Sequence, residues 1–88
     1  SIECHGSDEK IIINGKRGTQ KTEMNLTREE IDNLIQKFSE LSKTPIQEGV
    51  FKVAVGRYIL LAIVSEVIEP KFIIKKIPLI SEPPSFII

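Results

Sequence analysis

Residues 50–68, VFKVAVGRYILLAIVSEVI, constrain the fold more than any other stretch, because no other segment is apolar enough to nucleate a core alone. As a helix, most of this run would be apolar almost all round, with Gly56 near its start. Its many Val and Ile residues are β-branched, stiff at χ1 and suited to a pleated surface. Val55-Gly56-Arg57-Tyr58 fits a two-residue turn with glycine first, the type II′ pattern. The run therefore reads as a hairpin in which Val55 faces Tyr58, Val53 faces Leu60 and Phe51 faces Ala62. Together with Val64 these residues form one apolar face. The other face pairs Ala54 with Ile59, Lys52 with Leu61 and Val50 with Ile63, and it is also largely apolar. A strand apolar on both faces is normally covered on both. A membrane span does not fit: Lys52 and Arg57 interrupt the run, and residues 58–64 fall far short of the ~20 that a bilayer requires.

At 88 residues the chain has the length of one domain with a modest core. Its 12 basic and 12 acidic residues cancel, which argues against a dedicated nucleic-acid or membrane-surface protein. One cysteine leaves no intrachain disulfide, and with no signal peptide or lipidation motif the expected location is cytoplasmic.

The best-defined helix runs over residues 26–43. Thr27 and Glu30 form an S/T-x-x-E capping box, and Leu26 and Ile31 take the hydrophobic-staple positions. Ile31, Leu34, Ile35, Phe38 and Leu41 recur at helical spacing as one buried stripe. Pro45 follows the end. Before the helix, residues 2–5 read as a short strand and residues 10–14 as a longer one. Asn14-Gly15 is a hairpin signal, since both residues tolerate φ > 0. The return strand, residues 16–24, is polar and contains a glycine, the character of a sheet edge. After the hairpin, residues 71–77 form another strand that Pro78 ends. Residues 79–88 form an extended tail with Pro83-Pro84 and apolar Leu79, Ile80, Phe86, Ile87 and Ile88. The tail either packs back on the domain or docks on another chain, and its two prolines also suit a linear ligand for another domain.

The order hairpin, helix, hairpin, strand predicts an α+β domain over residues 1–78. One amphipathic helix packs on an antiparallel or mixed sheet of about four to five strands, β-grasp-like by analogy.

The chemistry-bearing residues have simpler readings than catalysis. Glu3, Cys4, His5, Asp8 and Glu9 lack the recurring Cys/His pairs of a zinc site. Cys4 and His5 are adjacent on a strand and point to opposite faces, so they cannot form a dyad. Gly15-Lys16-Arg17-Gly18 has the G-x-x-G pattern of the loop that clamps nucleic acid in KH domains. That loop joins two helices, whereas this one follows a strand, so it reads as a solvated basic hairpin tip. No phosphate loop of Walker or Rossmann type is present. The expectation is a non-enzymatic module without cofactor, metal or small-molecule substrate.

One helix covers one sheet face, and the second apolar face needs another cover. The leading expectation is therefore a protein-interaction module, homodimeric or a subunit of a larger assembly, using Ile59, Leu61, Ile63, Phe86, Ile87 and Ile88. The alternative is a nucleic-acid-binding domain using Lys16, Arg17 and Lys21, extended by Lys71, Lys75 and Lys76.

Overall fold

A computed structural model describes residues 1–78. The elements are β1 (Ile2–Cys4), β2 (Lys10–Gly15), β3 (Gly18–Asn25), α1 (Arg28–Ser42), β4 (Gly49–Val55), β5 (Tyr58–Val64) and β6 (Lys71–Lys76). They form an α+β domain with α1 packed on a six-stranded sheet of order β3-β2-β1-β6-β5-β4. Every neighbouring pair is antiparallel. The sheet thus has six strands where the sequence predicts four to five. The difference comes from β1, which pairs on both sides: Ile2 lies between Ile13 of β2 and Ile74 of β6. Two three-stranded meanders are joined along this seam, and the first and last of the described strands are central.

The β4–β5 hairpin has the predicted register throughout, from Val55 opposite Tyr58 to Gly49 opposite Val64. Gly56 has φ 60° while Arg57 stays at negative φ, which is the type II′ combination. In the first hairpin the tip expected at Gly15-Lys16-Arg17-Gly18 is present, and the turn expected at Asn14-Gly15 is not. Its turn is Lys16-Arg17 between the paired Gly15 and Gly18, not Asn14-Gly15. Asn14 stays in the ladder because its amide is used there. The amide donates to the Glu3 carboxylate on β1, and its oxygen accepts from Thr19 Oγ1 at 2.6 Å on β3.

The helix begins as its sequence dictates. Thr27 Oγ1 accepts from Glu30 N at 3.2 Å, and Glu30 Oε1 accepts from Thr27 N at 2.9 Å. It ends at Lys43 in the left-handed region, φ 55°, with the Lys43 and Thr44 amides donating to Glu40 and Ser39 carbonyls. Ile31 and Ile35 are buried, with Leu34 and Phe38 against the core. Leu41 is exposed, contrary to the predicted stripe, and Ser39 is buried instead. Leu41 lies about 80° around the helix from Ile31, on the opposite side from the drift of the row 31, 35, 39. Ser39 satisfies its hydroxyl by donating to Thr44 O at 2.6 Å.

The core joins Ile31 and Ile35 of the helix to Phe51, Val53, Leu60, Ala62, Phe72, Cys4 and Ile11 of five strands. All of these strand residues share the helix-side face. Alternation then fixes which side chains point the other way.

Candidate interaction surface

The outer face follows from the register. A row crosses the sheet from Lys52 through Leu61, Ile73, Glu3 and Ile12 to Lys21. A second row sets Ala54, Ile59 and Lys75 side by side, and a third Val50, Ile63 and Lys71. Ile59, Leu61 and Ile63 therefore form one column on β5, as the sequence predicts. Leu61 is 38% exposed, Ile63 44% and, beside them on β4, Val50 68%. Phe86, Ile87 and Ile88, predicted to share this surface, lie outside the described residues.

Charge divides the outer face in two. Over β1 and β2 the central carboxylate, Glu3, is engaged by His5 Nε2 at 3.0 Å and by the Asn14 amide. Over β4, β5 and β6 the charged residues are Lys52, Lys71 and Lys75, which frame the apolar column and have no ion-pair partner among the described residues. This half of the face is apolar at the centre and positive around it.

Among the described residues the same half ends in an open strand edge. β4 is the last strand of the sheet, and its sequence GVFKVAV carries one charge. Sequence reasoning placed Val50 and Lys52 in this strand but did not single them out. The edge position of β4 depends on β6 pairing with β1 across most of the chain, which no local pattern encodes.

Strand directions also sort charge along the strands. The Lys16-Arg17 turn, the Gly56-Arg57 turn and the end of β6, with Lys75 and Lys76, share one end of the sheet. All five basic side chains there are exposed. The β1–β2 and β5–β6 loops occupy the opposite end and carry Asp8, Glu9, Glu66 and Glu69. Glu69 accepts from Ser7 Oγ at 2.5 Å and ties these two loops together. Among the described residues, these turns and loops at the two ends of the sheet thus carry opposite charge. The predicted basic group is brought together only in part: Lys16 and Arg17 gather with Arg57, Lys75 and Lys76, whereas Lys21 sits within the outer face beside Ile12.

The residues with nucleophile or ligand chemistry are separated. Cys4 is buried on the helix-side face, where its thiol donates to Gly6 O at 3.4 Å. Burial pushes the thiol pKa up, with a smaller contribution from the negative Glu9. His5 is exposed and bonded to Glu3. Among the described residues no three His, Cys, Asp or Glu side chains gather as metal ligands. No helix there is long and apolar enough to cross a membrane.

Comparison with known proteins gives no match at a significant level to a family model, a characterised protein or a solved structure.

Proposed function

We propose that the chain is a small, non-catalytic protein-interaction module that associates with a second copy of itself along the β4 side of its sheet. One observation supports the reading. Among the described residues, the nearly uncharged strand β4 stands at an open edge, and the apolar column Ile59, Leu61 and Ile63 beside it is only partly covered. An exposed apolar edge strand is a template for pairing with another chain. The test is native mass across a wide concentration range. A rise from 9.9 kDa toward twice that value supports self-association, and a constant 9.9 kDa at every concentration removes it.

A second reading, nucleic-acid binding, draws on the gathering of Lys16, Arg17, Arg57, Lys75 and Lys76 at one end. Phosphate contacts make log affinity fall linearly with log salt, by about 0.9 per contact on duplex DNA. Replacing Lys16 and Arg17 by alanine would then make the slope shallower by about two contacts' worth. The absence of saturable binding at low salt removes this reading. It ranks second because aromatic platforms are scarce: the one tyrosine, Tyr58, sits beneath Lys76 Nζ, 6.0 Å from its ring centre.

A further inference from the structure

We propose that two copies join edge to edge through antiparallel β4 strands about a two-fold axis at Val50, placing Glu48 of each copy opposite Lys52 of the other. The proposal rests on the self-association reading and specifies its geometry.

The available backbone comes first. In an antiparallel pair, successive residues alternate between bonding to the partner strand and pointing away. Val55 and Tyr58 flank the two-residue turn and form a bonded pair, as do Val53 with Leu60 and Phe51 with Ala62. The N–H and C=O groups of Val50, Lys52 and Ala54 therefore point out of the sheet. An axis at Val50 lets the two Val50 residues exchange both bonds with each other.

The other edge is guarded. β3, GTQKTEMN, is polar, with Lys10 bonded to Glu23 at 3.1 Å across it and a register shift between Lys10 and Ile12. Charge, polarity and local irregularity are the usual means of blunting an edge. β4 has only Lys52.

Charge then selects the mode and the register. Packing the outer faces of two copies together with like halves in contact would set Lys52, Lys71 and Lys75 of each against those of the other, with no acidic residue in β4, β5 or β6 to offset them. Edge pairing avoids this. Within edge pairing, an axis at Lys52 would set that residue against its own copy, and like charges directly opposite are destabilising. The segment Glu48-Gly49-Val50-Phe51-Lys52 is charge-complementary to itself when reversed about Val50. An axis there brings Glu48, in the bend just before β4, toward Lys52 of the other copy, and sets the two Val50 side chains, each 68% exposed, side by side. The contact is isologous, so it closes at two copies. It is also short, which makes the dimer weak and concentration-dependent.

The experiment is sedimentation equilibrium of the full chain and three variants: Lys52→Glu, Glu48→Lys, and the two combined, each checked for native circular dichroism. Each single change replaces two attractive pairs with two repulsive ones and is expected to weaken the dimer about tenfold. The combined swap restores the attractive pairs and the wild-type dissociation constant. A dimer that Lys52→Glu strengthens and Glu48→Lys leaves unchanged is a face-to-face dimer. That result overturns the edge geometry while the self-association reading stands. Mass that grows without limit overturns it in favour of β4 pairing with β3 in an open array. A wild type that stays monomeric removes both the geometry and the reading beneath it.

Discussion

Cys4 stands directly opposite Phe72 where β1 meets β6, and both side chains are buried beneath the helix. The contact closes residues 4–72 of the 88-residue chain into one loop, so it forms late relative to the local hairpins on loop-closure grounds. It also fixes the chemistry of the cysteine. A thiol held among Phe72 and its neighbours ionises less readily than one in water.

That burial gives a pH dependence with a defined sign. The folded thiol binds its proton more tightly than the unfolded one, whose ordinary value is 9.0. The resulting stability is fully present below that value and is lost as pH rises through the raised folded value. Urea midpoints of wild type should therefore fall above about pH 9 more steeply than those of Cys4→Ala. At neutral pH, an aromatic disulfide reagent should label Cys4 only as fast as the domain opens, and labelling should accelerate with added urea. Labelling at the rate of a free thiol without denaturant would contradict the burial.

Leu60 and Leu61 are neighbours on β5 with opposite surroundings. Leu60 is fully buried against the helix, and Leu61 is on the outer face. Leu60→Ala should cost ~2–5 kcal/mol, the range for emptying a packed core site. Leu61→Ala should cost less, ~1–2 kcal/mol in the monomer, because 38% of its surface is already in water. Denaturant unfolding at low protein concentration measures both, and equal losses would mean that the outer face is covered.

The helix start offers a third test. Thr27→Ala removes the hydroxyl that accepts from Glu30 N and leaves that donor without its cap. A loss of ~0.5–2 kcal/mol is expected. Unchanged thermal and urea midpoints would show that the capping box contributes nothing.

Much of this architecture was legible in the sequence where the determinants are local. Gly56 before Arg57 fixes a turn, the turn fixes the pairing of seven residues on each strand, and pairing decides which side chains share a face. Thr27 and Glu30 mark a helix start because both partners of the box lie within four residues. The first hairpin was harder to read. Asn14-Gly15 is a strong turn signal, but Asn14 is held in the ladder by Glu3, eleven residues away. Leu41 fitted a helical stripe but lies outside the arc that the sheet covers. The candidate site was readable as the column Ile59, Leu61 and Ile63. Its framing lysines and open β4 edge depend on strand order, and strand order depends on β6 pairing with β1.

The seam between β1 and β6 has a mechanical consequence. The two strands are antiparallel, so Ile2 and Ile74 lie near the same end of the sheet. A force pulling the start of β1 away from the end of β6 meets the seam end-on and opens its hydrogen bonds one after another. Loading along the strands would have to break them together. With three residues in β1, few bonds resist such a pull. Tension on both ends of the domain would therefore part the two meanders at Ile2 while the turns at Lys16 and Gly56 still held.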